Sequence, residues 1–443
     1  MINTPDQDRQ PHSFIRFGIQ RKKEFLKDVR NTYDGLVLPG NILLYQYRST
    51  PTTIFMCERK FFVDPMSYLF GQPYEGLKQR LKKGLVFKPS FDKLMVGHGL
   101  KPADFLQYDY TKLIDYLSHP KDNISNFANN ALNFQWETVW NTIKEAKDLM
   151  TDEERENLEE DKYRPVFIIP PYFLFEPGSA TNDLNRRIIE YCWRERTKWK
   201  GDLFPMLFIR KKDLASDFLD EAISIVKGHP FLGYCVWVED FDERQATRSQ
   251  AGGLIKLIST LSKENQQVVM LYGGYFSMLL YHFGLSCICH GLAYGEARSV
   301  TATAQKGSGP APIRYYVLEL HRFLTLPDAL IILRKRPDLI CNCPICQRVI
   351  QGNPDRVIRF ESEEALSEMH FLWNRAKERR IIAQASIDDL IEDLDMTLIL
   401  NKDLAEITKT YKVYGGYEER PIIDPIYISE WKAALEEKRN TAT

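Results

Sequence analysis

Tyr234-Cys235-Val236-Trp237-Val238, Val268-Val269-Met270-Leu271-Tyr272 and Ser286-Cys287-Ile288-Cys289-His290 are short, nearly unbroken apolar runs. A strand with one wet face alternates apolar and polar residues. A run without alternation is buried on both faces, as in a parallel sheet with helices on either side. Gly35–Leu38, Thr53–Met56 with Phe61–Val63, Leu94–Val96, Val166–Pro170 and Met206–Ile209 extend the series. Helical patterns lie between them, at Asn182–Lys198, Leu214–Lys227 and Gln250–Ser262. Strand–helix alternation repeated about eight times predicts an α/β protein built on a (β/α)8 TIM barrel, with an open doubly wound sheet as the other solution.

The 443 residues exceed one small core and suit a large barrel with additions, or two or three domains. The reading divides them into a flexible N-terminal arm (1–15), a barrel (16–340) with a polar helical insertion near 118–161, a zinc-binding subdomain (341–375) and a C-terminal helical appendix (376–443). Lys306-Gly307-Ser308-Gly309-Pro310-Ala311-Pro312 lacks P-loop spacing and reads as a lid or linker. Lysines and arginines total 59 against 60 carboxylates, so the chain is not basic overall. Basic residues are locally dense at Arg21-Lys22-Lys23, Lys78 to Lys83, Arg210-Lys211-Lys212, Arg334-Lys335-Arg336 and Lys377 to Arg380. Each is a solvated face on its own, and a rim for a nucleic-acid backbone if several converge. No apolar run reaches membrane-spanning length, and Met1 to Ser13 lack the apolar core of a signal peptide, which predicts a cytoplasmic protein without a membrane partner.

Cys341-Asn342-Cys343-Pro344-Ile345-Cys346, with His370 on a helical stretch beyond, is a CxCxxC…H constellation. Three thiolates and one imidazole complete a tetrahedral set for Zn2+ and leave no position for substrate, so the metal would be structural. The turn at Pro344 would aim backbone N–H groups at the sulfurs. Chance would leave the same cysteines reduced in a core, but it explains a pair more easily than three within six residues. Cys57, Cys192, Cys235, Cys287 and Cys289 show no disulfide framework.

A barrel followed by CxCxxC and a histidine-bearing helix resembles the tRNA-guanine transglycosylase family. Ile313-Arg314-Tyr315-Tyr316-Val317-Leu318-Glu319-Leu320-His321, Phe62-Val63-Asp64-Pro65-Met66-Ser67-Tyr68 and Lys88-Pro89-Ser90-Phe91 resemble its branch linked to 7-deazaguanine insertion into DNA and to anti-phage gene clusters. The resemblance spans residues 30–380 in architecture and is sharpest at the metal motif. It implies a glycosyltransferase that exchanges a guanine or 7-deazaguanine base in DNA or tRNA, with zinc on Cys341, Cys343, Cys346 and His370. The family's Asp-Ser-Gly-Gly-Phe motif is absent. The run matching its nucleophilic aspartate, Gly284-Leu285-Ser286-Cys287-Ile288-Cys289-His290-Gly291, carries no carboxylate.

The ends of the strands supply the other candidates. Asp64 follows an apolar run and would hold the edge of a base, or else cap a turn. Glu296 is a candidate nucleophile or base with His290 as its acid–base partner and Arg298 as an anion clamp; the plain alternative is a Glu296–Arg298 surface pair and a satisfied histidine. Gly273 and Gly274 with Tyr275 would let a ligand lie on the backbone, or make a tight turn. Asp240, in the carboxylate cluster Glu239-Asp240-Phe241-Asp242, would contact a base or a divalent ion, or belong to a solvated loop. Cys287 and Cys289 read as buried and inert. Tyr172, Phe173, Phe175, Trp237 and Tyr272 would stack a flipped base or fill a core. Two classes of function follow: a base-exchanging enzyme, or a catalytically inactive nucleic-acid-binding partner subunit. A transferase moving the base to a non-nucleic acceptor is a third.

Overall fold

A computed structural model of the chain describes residues 10–18, 23–81, 84–108, 110–118, 121–156, 158–292, 296–300, 312–408 and 422–442. Seven strands form one curled, wholly parallel sheet: β1 (His12–Arg16), β2 (Gly35–Pro39), β3 (Lys60–Asp64), β6 (Met206–Arg210), β7 (Gly233–Glu239), β8 (Gln267–Leu271) and β9 (Leu285–His290). Their order is β3-β2-β1-β9-β8-β7-β6. Two antiparallel hairpins lie apart from it, β4 (Lys78–Leu81) with β5 (Gly84–Phe87), and β10 (Arg314–Val317) with β11 (Arg322–Thr325).

The apolar runs of β6 to β9 are buried on both faces, as the absence of alternation requires. The concave side is aromatic. Phe14 and Phe62 lie 5.5 Å apart, Phe62 and Phe167 4.5 Å, and Phe208 stacks on Trp237 at 4.0 Å. Ile15, Leu36, Leu38, Phe61 and Val63 point the other way, into a second cluster with Leu43, Ile54 and Phe371.

Four expectations about the strands change. His12–Arg16, read as the end of a loose arm, is a central strand: Phe14 pairs with Gly35 on one side and Cys289 on the other. Thr53–Met56 lies in the helix Ser49–Cys57 and Leu94–Val96 in the helix Pro89–Gly97, because apolar runs this short fit either period. The eighth strand of a full barrel is not formed as a regular strand. Val166 N–H donates to Phe61 O of β3 at 2.9 Å, while Ile168 and Phe175 make only isolated parallel bridges to Leu203 and Ile209. Pro165, Pro170 and Pro171 remove ladder donors from this segment, which therefore crosses the gap between β3 and β6 without a continuous ladder.

The expected insertion contains a 25-residue helix, Lys121–Glu145, whose Phe127, Ala128, Leu132 and Ile143 are buried. Residues 306–311 of the glycine-rich loop lie outside the described residues. Beyond it, β10, β11 and the helix Leu326–Lys335 share one core with Cys343, Cys346 and Phe360, so the unit holding the metal motif begins before residue 341. The helix expected over Arg375–Asp393 is two helices, Glu364–Gln384 and Ile387–Thr408. Ser386 divides them: its hydroxyl accepts from Asp389 N–H at 3.1 Å, and Asp389 accepts from Ser386 N–H at 2.8 Å, a reciprocal cap. The last helix, Ile426–Ala442, returns to the sheet unit and buries Trp431 there. Among the described residues no helix is long and apolar enough to cross a membrane.

Candidate functional site

Cys341, Cys343, Cys346 and His370 come together with their ligand atoms all within 4.8 Å of one another. Cys343 precedes Pro344, the first residue of a short helix, and this turn aims amides at sulfur as expected. Cys343 N–H donates to Cys341 Sγ at 3.3 Å and Cys346 N–H to Cys343 Sγ at 3.4 Å. His370 faces two sulfurs through Nδ1, at 3.4 and 3.2 Å. Its Nε2 is 2.8 Å from Tyr316 O, which fixes the tautomer that leaves Nδ1 free to ligate. Tyr315 stacks on the imidazole at 4.4 Å, and its hydroxyl lies 3.5 Å from Cys346 Sγ. Hydrogen bonds from Cys343 and Cys346 pull the Cys341 thiol down, while those with Cys341 and Cys343 push the Cys346 thiol up. A divalent cation would be bound by the cysteines as thiolates. The cluster is therefore positioned to hold a metal ion, and its donor set suits zinc.

At the C-terminal ends of the strands, Asp64 closes β3 and is fully buried. Its Oδ1 accepts from Tyr172 Oη at 2.7 Å and from Met66 N–H at 2.9 Å, whereas Oδ2 has no hydrogen-bond partner among the described residues. Burial pushes its carboxyl up, against those two bonds and the nearby Arg16. Around it stand aromatic rings: Tyr68 lies 5.9 Å from Tyr172 and 4.6 Å from Trp237, and Trp237 lies 5.2 Å from Tyr272. Trp237 Nε1 and Tyr272 Oη are also buried without a partner among the described residues. Tyr272 sits at φ +62°, in the left-handed region that a bulky residue rarely adopts. The Arg16 and Arg298 guanidinium groups both lie over its ring, at 5.4 and 5.6 Å. Arg298 also accepts at its carbonyl from Asp240 N–H, 3.0 Å away, while the Asp240 side chain is exposed. Buried polar atoms are nearly always satisfied, so three orphans in one cluster mark a functional candidate.

The glycine turn is filled from within the protein. Glu243 Oε1 accepts from Gly274 N–H at 2.7 Å and Ser277 N–H at 2.9 Å, and Oε2 from Phe276 N–H at 2.9 Å; the Ser277 hydroxyl donates to Oε1 as well. A Cβ on Gly274 would sit 2.7 Å from Glu243 Oε2, so the turn needs glycine for its own carboxylate. Tyr275 is buried, stacks on His321 at 3.4 Å and lies 3.5 Å from Asp393.

Glu296, Glu243, Arg244, Tyr275, His321 and Trp431 line a cavity of about 200 Å3 between the sheet unit and the C-terminal unit. The Glu296 side chain is 29% exposed and pairs with Arg375, which is 1% exposed and also pairs with Glu378 at 3.1 Å. Burial pushes the Glu296 carboxyl up to about 7, with Arg375 opposing and Glu243 adding to the rise. Glu378 in turn accepts from Tyr316 Oη at 2.6 Å and contacts His321 Nδ1 at 2.9 Å.

His290 is not brought to Glu296 as an acid–base partner. It is buried, with Nε2 2.9 Å from Ser13 Oγ of β1 and Nδ1 3.0 Å from the carbonyl of the next residue, Gly291, so one nitrogen ties β9 to β1 and the other is held by the local backbone. Burial and Arg375 push its pKa down to about 3. Cys287 and Cys289 are buried. Arg16, Glu243, Arg375 and Glu378 were not singled out from the sequence. Arg16 lay at the boundary between the supposed arm and the barrel, Glu243 beside a carboxylate run read as solvated, Arg375 at the end of the expected zinc-binding subdomain and Glu378 in the expected appendix. Compared with models of known protein families the chain matches none, and it matches no curated protein.

Proposed function

We propose that this chain is a transglycosylase-like protein that holds a guanine or 7-deazaguanine base at the mouth of a divergent (β/α)8 barrel, within a nucleic-acid modification or anti-phage system. Asp64 carries the reading. A fully buried carboxylate with one unpartnered oxygen, set among aromatic rings, suits a planar ligand that offers N–H donors from its edge. The unpartnered Trp237 Nε1 and Tyr272 Oη would donate to ring acceptors, and Arg16 and Arg298 would face the phosphate or sugar side of a nucleic-acid substrate. Glu296, on the neighbouring cavity wall, has a proton affinity near neutrality and so suits general acid–base exchange better than the role of an always-ionised nucleophile. Zinc on Cys341, Cys343, Cys346 and His370 is structural in this reading, because the four protein donors close its coordination shell.

The test is calorimetric binding of guanine and a panel of 7-deazaguanine bases to the zinc-loaded chain, followed by exchange of labelled base into DNA and tRNA. Micromolar or tighter binding is expected, weakened by roughly ten- to a hundredfold in Asp64→Asn, which leaves a donor where an acceptor is needed. Exchange should be lost in Glu296→Gln. No binding of any base, or unchanged binding in Asp64→Asn, overturns the proposal. Two observations favour the second reading, a partner subunit without chemistry: the Gly273–Gly274 turn is filled by Glu243, and His290 is held by Ser13 of the neighbouring strand. Base binding without exchange would select it.

A further inference from the structure

We infer that the hairpin β4–β5 is a ribbon that grips duplex DNA beside the buried Asp64 site. The inference rests on the reading of that site as one for a base within a nucleic acid, and it names the surface that holds the rest of the polymer. In three of the other basic clusters an arginine is neutralised within the fold. Arg210 pairs with Glu176 at 2.7 Å, Arg334 with Asp355 and Arg336 with Asp338 at 2.6 Å, and Arg379 with Asp34 at 2.9 Å. The hairpin differs. Lys78 Nζ donates to the Tyr108 carbonyl at 3.1 Å, and neither Lys78 nor Arg80 pairs with a carboxylate among the described residues. From Leu77 to Phe91 the chain carries Lys78, Arg80, Lys82, Lys83 and Lys88 and no carboxylate, residues 82 and 83 lying outside the described residues. Cations left without an internal partner attract a polyanion.

Shape decides the form of that polymer. Among the described residues β4 and β5 pair only with each other. Arg80 stands opposite Leu85 and Lys78 opposite Phe87, so the two cations share one face of the ribbon. The foot of that face is anchored. Phe87 is buried, and rings in contact run from it to Phe91 at 5.2 Å and on to Phe70 at 5.5 Å, in the turn Ser67–Gly71. Ser67 of the same turn donates to the carbonyl of Tyr172, whose hydroxyl binds Asp64. The tip stands in solvent, with Arg80 exposed and Leu81 and Leu85 54% and 45% exposed. A two-stranded ribbon fits the major groove of B-form DNA, whereas the major groove of A-form RNA is too narrow to admit it. A base held at Asp64 has to leave its duplex, and a ribbon anchored to the same turn holds the flanking phosphates while it does.

The experiment is fluorescence anisotropy of the full chain with a labelled random-sequence duplex DNA across a range of salt concentrations. Affinity should fall linearly with salt on logarithmic axes, with a slope shallower by about 1 in Arg80→Gln and by about 2 in Lys78→Gln/Arg80→Gln, and the double variant should bind roughly tenfold or more weakly at low salt. Arg80 is exposed, so the melting curve of Arg80→Gln should match that of the parent. Lys263, exposed before the start of β8 at the other end of the strands, is the control, and Lys263→Gln should keep the parent's slope and affinity. No binding of duplex DNA by the parent, an unchanged slope in the double variant, or an equal loss in Lys263→Gln overturns the inference. Duplex RNA bound as tightly and weakened as much overturns it too, because charge would then act without the groove. Free guanine carries no phosphate and should bind parent and ribbon variants alike, so a failure of the base site and a failure of the ribbon read out separately.

Discussion

Replacing Glu296 by glutamine should make the protein more stable in alkali while removing its proposed activity. Glutamine keeps the size and hydrogen-bonding reach of the protonated carboxyl, so the variant stands for the neutral state at every pH. Burial raises the carboxyl from 4.5 to about 7 even with Arg375 opposing. The folded protein thus holds this proton more tightly than the unfolded chain. The stability so gained is complete below about 4.5 and is lost as pH climbs through about 7. At about 1.4 kcal/mol per pH unit, the full interval amounts to about 3 kcal/mol. Water reaching a side chain that is 29% exposed trims this to about 2–3 kcal/mol. Urea denaturation of both proteins from about pH 5 to about pH 8.5 reads it directly. The curves should nearly coincide at the acid end, with Glu296→Gln the more stable at the alkaline end. A difference that is constant with pH, or a variant weaker in alkali, would mean that the bond to Arg375 outweighs burial, and the reasoning would fail.

If the cluster holds zinc, roughly one ion per chain, Cys343→Ala should abolish that binding and cost several kcal/mol, because the binding energy of a structural zinc is folding energy; metal analysis of both proteins with a melting curve checks this, and metal-free parent protein or unchanged melting counts against the site. Arg375→Met should cost about 3–5 kcal/mol, since Glu378, 1% exposed, loses its buried cation; denaturation at neutral pH measures it. Gly274→Ala places a methyl 2.7 Å from Glu243 Oε2 and should cost about 1–3 kcal/mol by the same measurement. The His290 ring, with a pKa of about 3, should show no titration by NMR between about pH 5 and pH 8.

What the sequence announced was what depends on local spacing. The cysteine triplet and its histidine are legible because a metal needs four donors at set intervals, and the buried runs of β6 to β9 because burial on both faces forbids alternation. The failures share a cause. Val166–Pro170 reads as a strand by composition, yet its prolines break the ladder. Leu94–Val96 is too short for its period to be recognised. His12–Arg16 alternates only weakly, and its place between β2 and β9 is a long-range fact that no local pattern carries. Asp64 was legible as a strand-end carboxylate, but not its burial or the bond to its Oδ1, which comes from Tyr172, 108 positions later. Glu243 was passed over as part of a charged loop, although three backbone amides wait for it.

The pairing of β1 with β9 also sets a clock. Ser13 and His290, which bond across that seam, are 277 positions apart. At roughly 5–20 residues per second, a ribosome needs on the order of tens of seconds to supply the second strand after the first has emerged. Through that interval β1, β2 and β3 have one open edge of unpaired backbone and an apolar concave face, the kind of surface that adheres to its neighbours. A chain wired this way leans on whatever shelters nascent strands, and crowded expression should penalise it more heavily than its finished stability would suggest.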